Sequence, residues 1–106
     1  MNMNSTIYAQ PPAERYSAKR TRHHVNFYCM APNARSVKLV GDFNGWDPAA
    51  TPMRRMPGGR WMASLELSDR HHRYLFIVDG NPTLDPSANG ITRNERDERV
   101  SLIAVS

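Results

Sequence analysis

Cysteine is nearly absent from this sequence of 106 residues, which contains Cys29 alone. A single thiol cannot form a disulfide within the chain, and this usage suits a reducing, cytoplasmic compartment. Cys29 lies in a stretch where apolar and polar residues alternate, which is typical of a strand. We therefore expect Cys29 to be a small buried hydrophobe and not a reactive thiol.

Long apolar runs are also missing from the sequence. None of them approaches the ~20 residues of a membrane-spanning helix, so no membrane span is expected. The first residues lack the charged and then apolar pattern of a secretory signal peptide. The length of the chain suits one domain.

The excess of positive charge lies at one end of the chain. The formal net charge is +4, and the first 24 residues hold +3 of it. Residues 1–22 have no periodic apolar face and contain two consecutive prolines, so we predict a flexible basic tail there. Residues 23–106 are predicted to form the folded domain, and they are nearly neutral. A nucleic-acid-binding domain would usually be net basic, so no nucleic acid is expected as a partner.

Groups of residues that carry catalytic or metal chemistry are not evident either. The histidines form two adjacent pairs, and neighbours in a strand point to opposite faces, so neither pair is a ready chelate. Four aspartates stand beside Gly, Pro or Asn and are expected to shape turns, because glycosidic cleavage needs two carboxylates across a cleft. We therefore expect no enzymatic activity, no metal and no cofactor. The residues concerned are His23, His24, His71, His72, Asp42, Asp47, Asp79 and Asp85.

Short strands dominate what is present. Apolar and polar residues alternate in segments that recur about every ten residues, with turn-forming residues between them and no helical periodicity. This pattern predicts an all-β fold, an antiparallel β-sandwich of immunoglobulin-like type. Trp61 heads one alternating face and is expected in the core. Strands are predicted at 23–30, 36–43, 60–67, 72–78 and 99–105, with a short edge strand near 51–54, and 81–94 is predicted to be mostly loop.

One stretch, Val37 to Pro48, organises the rest of the chain. It opens as an alternating strand, bends at Gly41, resumes the inward face at Phe43 and turns at Asn44-Gly45. Trp46 follows that turn, so the strand delivers a large indole to the lip of a loop. An indole in such a place either folds back as packing or binds a ligand.

This stretch, together with Tyr74 to Gly80 (YLFIVDG) and Asp85-Pro86, resembles the glycogen-binding module, carbohydrate-binding module family 48. The resemblance covers about residues 23–106. It implies the early-set immunoglobulin-like sandwich found beside the catalytic barrels of isoamylases and glucan branching enzymes, and in the beta subunit of AMP-activated kinase. It also implies a non-catalytic domain that binds an α-1,4-glucan, of glycogen or starch type, or a malto-oligosaccharide.

The resemblance assigns Trp46 to the sugar-stacking tryptophan of the family. The place of a second tryptophan holds Pro82, and the place of a sugar-contacting lysine holds Leu75. An asparagine that leads into the last strand in many members corresponds to Arg99. Neighbouring amides, Asn44 or Asn81, could hydrogen-bond sugar hydroxyls. The expected site is therefore Trp46, Asn44, Asn81 and Leu75, with weakened binding.

The outer face of the strand at 72–78 allows other interpretations. Alternation places Leu75 and Ile77 outward, and two aliphatic side chains there suggest a contact surface for a second copy of the chain or for another protein. A loop at 84–96 or the N-terminal segment could instead cover them. A further alternative is an accessory domain of a glycan-active enzyme, whose catalytic barrel 106 residues cannot contain.

Overall fold

A computed structural model describes residues 21–106. Eight strands form two antiparallel sheets that pack face to face, so the predicted all-β immunoglobulin-like sandwich is confirmed. The predicted tail, residues 1–22, lies almost wholly outside the described residues. The strands are β1 (Arg22–Met30), β2 (Val37–Gly41), β3 (Arg54–Arg55), β4 (Arg60–Ser68), β5 (His71–Val78), β6 (Asn81–Thr83), β7 (Gly90–Arg93) and β8 (Arg99–Ala104).

The smaller sheet has the order β1-β4-β3, and the larger one has the order β2-β5-β8-β7. β6 also pairs with β5, beyond the end of β8, through Phe76, Ile77 and Val78. β5 is therefore the central strand of the larger sheet, bordered by three others. Within residues 21–106 the helical segments are two short 3-10 turns, at Asp42–Asn44 and Pro57–Gly59, and no helix is long and apolar enough to cross a bilayer.

The core lies between the sheets and is built around aromatic rings. The Tyr74 ring packs edge-on against two other rings, with centroid distances of 5.0 Å to Phe27 and 5.9 Å to Phe76. Trp61 is buried as predicted, and its indole N–H donates to the Ala31 carbonyl at 2.9 Å. Cys29 is also buried, and burial, followed by the charge of Asp85, raises the pKa of its thiol. The thiol is thus held in its neutral form, as expected of a structural cysteine.

Several predicted boundaries are wrong. The strand predicted at 36–43 ends at Gly41, because residues 42–44 coil into a 3-10 turn. The predicted edge strand near 51–54 is displaced to Arg54–Arg55, with a single bridge between Lys38 and Pro52 before it. The stretch predicted as mostly loop, 81–94, contains β6 and β7. Both strands are too short to show alternation, and β6 tolerates Pro82 because it is an edge strand.

Candidate functional site

The turn after β2 is held by the side chain of Asn44. Its amide oxygen accepts the Gly41 N–H at 3.0 Å, while its amide nitrogen donates to the Leu39 carbonyl at 2.9 Å and to the Thr51 hydroxyl at 3.0 Å. The Trp46 N–H then donates to the Gly41 carbonyl at 3.0 Å. These hydrogen bonds attach the turn to the end of β2 and so fix the backbone position of Trp46.

The backbone of Trp46 is in the left-handed region, with φ of 59°, directly after Gly45 at 67°. Glycine adopts this conformation freely, but a bulky residue is strained there by roughly 1 to 3 kcal/mol. The hydrogen bonds of the turn, including the one from the Trp46 N–H to the Gly41 carbonyl, hold the backbone in this strained conformation. A strained tryptophan at the lip of a loop is consistent with a functional position.

Trp46 borders a concavity of ≈ 600 Å³ on the outer face of the larger sheet. Its floor is aliphatic, because the antiparallel register places Val40 opposite Leu75 and Pro82 opposite Ile77 on that face. Val40 is buried although it lies outside the core between the sheets, while Leu75 and Ile77 are half-buried.

The loop between β7 and β8 forms the opposite border of this concavity. Asn94 shapes the loop: its amide oxygen accepts the N–H groups of Arg96 and Glu98, each at 2.9 Å, and its amide nitrogen donates to the Glu98 carboxylate at 3.0 Å. Glu95, Arg96 and Glu98 line the concavity with Asp42 and Arg73. Charges of both signs therefore surround an apolar floor.

The structure brings only part of the predicted site together. Trp46, Leu75 and Ile77 line one concavity. Asn44 lines a different depression, and its side-chain amide is hydrogen-bonded to the backbone of the turn and of β2. Asn81 is exposed and lies opposite Val78 in the ladder, so Pro82, and not Asn81, shares the face of Ile77.

Sequence reasoning did not assign several residues that line the concavity. Val40 and Arg73 could have been found, because each alternates onto the same face as Leu75 once β2 and β5 are paired. Glu95, Arg96 and Glu98 could not, because their place depends on how β7 pairs with β8. That pairing has no signal in the sequence of β7.

The turn before β6 is stabilised electrostatically. The Asp79 carboxylate accepts the N–H groups of Arg35 and Ser36 at 2.8 Å and 2.9 Å. These hydrogen bonds hold the pKa of Asp79 below its usual range. Asp79 therefore shapes a turn, as predicted for this residue. Among residues 21–106 no group of three or more His, Cys, Asp or Glu residues could hold a metal ion.

A second groove of ≈ 910 Å³ opens beside the edge of the sandwich, away from Trp46. The large apolar side chains exposed within residues 21–106 all line it, namely Tyr28, Met30 and Ile91. The Arg60 guanidinium lies over the Tyr28 ring, 4.8 Å from its centroid. One face of that ring is therefore already occupied.

Some known proteins are similar to this chain in sequence, and one solved structure is similar to it in fold. A 69-residue stretch is 42% identical to the 1,4-alpha-glucan branching enzyme GlgB 2 of Xanthomonas campestris pv. campestris (strain 8004), covering 60% of this chain and 10% of that protein. A shorter stretch of 38 residues is 60% identical to the branching enzyme GlgB of Cupriavidus pinatubonensis, covering 35% of this chain and 5% of that protein. The chain thus spans a tenth or less of the length of these relatives.

A solved structure, the maltogenic amylase from S. marinus, matches with a TM-score of 0.71 and 22% identity, over 82% of this chain and 14% of that one. This match supports the fold. The family model of carbohydrate-binding module 48, the isoamylase N-terminal domain, matches residues 14–97. Since that match covers most of the sequence, the chain belongs to the carbohydrate-binding module 48 family.

Proposed function

We propose that this domain binds α-glucan chains without acting on them, and that the concavity beside Trp46 is the binding site. The observation that carries the proposal is the indole itself, which stands strained and half-buried at the border of an open apolar floor. Family membership and the branching-enzyme relatives support a glucan as the ligand.

The chemistry of the concavity suits a sugar chain. A glucose ring has an apolar C–H face that packs on an indole, and Leu75 and Ile77 would extend the apolar contact. Hydroxyls at the ring edge could then bond to Arg73 or to the charged side chains of the opposite loop. Binding should be weak, because Pro82 and Leu75 replace groups that would stack on or hydrogen-bond a second sugar.

A catalytic role is not proposed. Two of the carboxylates that line the concavity are held by neighbouring groups: Asp42 contacts the His72 ring and the Arg73 N–H, and Glu98 accepts a bond from Asn94. Hydrolysis would require a carboxylate pair that flanks one bond at a defined separation, whereas the bonds of Asp42 and Glu98 give these two carboxylates structural roles.

Chemical-shift mapping tests the location of the site. Maltoheptaose added to ¹⁵N-labelled protein should shift amide signals of the Trp46 turn, β5 and the loop at 94–98, together with the Trp46 indole signal. The Trp61 indole, which is bonded in the core, serves as the internal control. Shifts confined to the groove of Tyr28 and Ile91 would place the sugar elsewhere.

The same aliphatic floor could instead serve a homodimer through Leu75 and Ile77. Leu75 and Ile77 are half-buried, so each exposes less apolar area than a fully exposed side chain would. A second copy of the chain could still cover the area that remains. Sedimentation of the parent and of Leu75→Lys/Ile77→Thr over a concentration series distinguishes these uses. Concentration-dependent mass in the parent alone would support the dimer, and a constant monomer mass would remove it.

An accessory role beside the separate catalytic chain of a glucan-active enzyme would use a different surface. The relatives are about ten times as long as the matched stretch, and the groove of Tyr28, Met30 and Ile91 gathers the large exposed apolar side chains of residues 21–106. We infer that this groove faces the catalytic part of such an enzyme. Met30→Glu/Ile91→Lys should weaken co-purification with that enzyme and leave glucan binding unchanged, whereas unaltered co-purification would refute this assignment.

A further inference from the structure

β1 is an edge strand whose outer edge is unpaired among residues 21–106. Its nine residues pair with β4 in an unbroken register, and no described strand pairs with its other edge. The Ala31 N–H donates to the Gly59 carbonyl beside β4, so the odd-numbered residues of β1 direct their N–H and C=O groups toward β4. The even-numbered residues, all of them exposed, direct theirs away from β4. They are Arg22, His24, Asn26, Tyr28 and Met30.

The sequence of β1 does not protect this edge. Natural edge strands usually avoid further pairing through a proline, a bulge or a short length. β1 contains no proline, its ladder with β4 has no bulge, and it equals β4 as the longest strand in the described part of the chain. A row of free N–H and C=O groups of this length is a template for a further strand.

The larger sheet extends past the smaller one on the same side of the sandwich. β1 packs Phe27 against Tyr74 of β5, whereas β7 lies two strands beyond β5. Ile91 of β7 is opposite Ser101, which is opposite Tyr74, so alternation directs Ile91 toward the space between the sheets. Ile91 is nevertheless 53% exposed. The groove of ≈ 910 Å³ at this edge is that open space, and a strand added beside β1 would cover Ile91.

The outer side of the same edge carries positive charge without a partner. Arg60 lies opposite Met30 in the ladder, and its guanidinium is 4.8 Å from the centroid of the Tyr28 ring. Arg22, at the other end of β1, donates to the Glu66 backbone carbonyl, which leaves its charge uncompensated. Neither arginine forms an ion pair within residues 21–106. Carboxylates on the outward side of an added strand would therefore be attracted to both ends of β1.

We propose that β1 and this groove bind an extended segment of a partner protein, which joins the smaller sheet as a fourth strand. The segment alternates apolar residues, which enter the groove, with acidic residues, which face Arg22 and Arg60. The inference rests on the enzyme-docking role proposed for the groove only for the source of the segment, the catalytic chain of a glucan-active enzyme. A second copy pairing through its own β1 would not fill the groove, because the inward side chains Phe27 and Cys29 of that strand are buried in its own core.

Amide hydrogen exchange tests the mode of binding with a simple probe, a capped peptide as long as β1 in which valine and glutamate alternate. In the free protein the even-numbered amides from His24 to Met30 should exchange fast, and the peptide should slow them. The odd-numbered amides of β1 should be slow throughout. Signals of Ile91 should shift on binding, and those of Trp46 should stay fixed. Even-numbered amides that are slow before the peptide is added, or a response confined to other strands, would overturn the proposal.

A matched pair of variants at Asn26 tests the hydrogen-bonding edge itself. Asn26→Pro removes an N–H that points away from β4, and its ring blocks the edge, so no bond to β4 is lost. Asn26→Ala keeps the N–H and, like the proline variant, loses the bond from the Ser64 hydroxyl.

Affinity for the peptide should fall at least about tenfold in Asn26→Pro and less than about twofold in Asn26→Ala. Circular dichroism checks that both variants fold, and the exchange pattern of the parent decides the question if the proline variant does not. Equal affinities of the two folded variants would refute strand addition.

The charge of the partner segment is tested separately. Arg60→Gln should weaken binding of the valine–glutamate peptide by about two- to fivefold. Arg54→Gln is the matched control, because Arg54 lies on β3 at the far edge of the same sheet and should not affect binding. A peptide of alternating valine and lysine should bind more weakly than the glutamate peptide. Equal binding of the two peptides would refute an acidic partner.

Sedimentation over a concentration series identifies the alternative occupant. Even-numbered β1 amides that become protected only where the free protein is a dimer would assign the edge to a second copy and overturn the proposal. A monomer that binds the peptide supports it. Neither maltoheptaose nor an enzyme enters these measurements, so a failure of the glucan site or of co-purification is distinguishable from a failure of strand addition.

Discussion

Gly41 allows the chain to bend from β2 into the turn. A Cβ built there would lie 2.6 Å from the Phe43 ring and 2.7 Å from the Arg73 carbonyl oxygen. The carbonyl belongs to the paired strand, so it cannot move aside without disturbing the ladder.

Gly41→Ala should therefore destabilise the domain by about 1 to 3 kcal/mol, as expected for overpacking. Urea denaturation measures the change. Gly90→Ala is the matched control, because a Cβ at that strand glycine meets no atom within 4 Å. Equal stabilities of the two variants would show that the close approach at Gly41 is unimportant.

Asp79 should make the stability of the domain depend on pH in the acid range. Hydrogen bonds from the N–H groups of Ser36 and Arg35 lower the pKa of its carboxylate in the folded state. A lowered pKa in the folded protein contributes stability above the unfolded value, about pH 4, and that stability is lost as the pH falls through the folded value.

The melting temperature of the parent should thus fall on acidification below about pH 4, and Asp79→Asn should reduce this fall. Asparagine tolerates the positive φ of 47° at this position. Its Oδ1 can still accept both N–H groups, because both bonds go to the Oδ1 of Asp79. Thermal unfolding of both proteins between about pH 7 and pH 3 checks the expectation. Parallel curves would contradict the role given to Asp79.

The sequence allows individual side chains to be placed only where their local pattern is sufficient. Trp61 and Cys29 were predicted in the core and are buried there, because alternation alone assigns their face. Asn44 was predicted to face a sugar, whereas its amide holds the turn. A polar side chain after a strand can bond to backbone or to ligand, and sequence does not show which.

At the scale of elements, the long alternating strands were predicted, whereas β6 and β7 were not. β4 and β5 have eight or nine residues, enough to show their period. β6 has three residues and β7 has four. Their strand geometry comes from pairing with β5 and β8, which is a tertiary effect.

The loop between β7 and β8 depends on Asn94. Its side chain makes three hydrogen bonds within five residues of the loop. Asn94→Ala should lose these bonds, cost about 1 to 3 kcal/mol and speed amide exchange at residues 94–98. Asn33→Ala, in an exposed turn, should change neither property. Unaltered exchange in Asn94→Ala would show that the backbone alone shapes the loop.

At the scale of the whole molecule, one sandwich carries two separate surfaces. The larger sheet presents the aliphatic floor beside Trp46, and the edge of the sandwich presents the groove of Tyr28, Met30 and Ile91. The fold and the location of Trp46 were accessible from sequence. The second groove was not, because it forms where the edges of two sheets meet.

Calorimetric titration with maltoheptaose tests the central claim most directly. The parent should bind with a Kd on the order of 0.1 to 1 mM, and Trp46→Ala should bind at least about tenfold more weakly, a loss of about 1.4 kcal/mol. Tyr28→Ala removes an exposed aromatic ring from the other groove and should bind like the parent. Circular dichroism confirms that both variants are folded. Binding by folded Trp46→Ala as tight as that of the parent would contradict a glucan site at this indole.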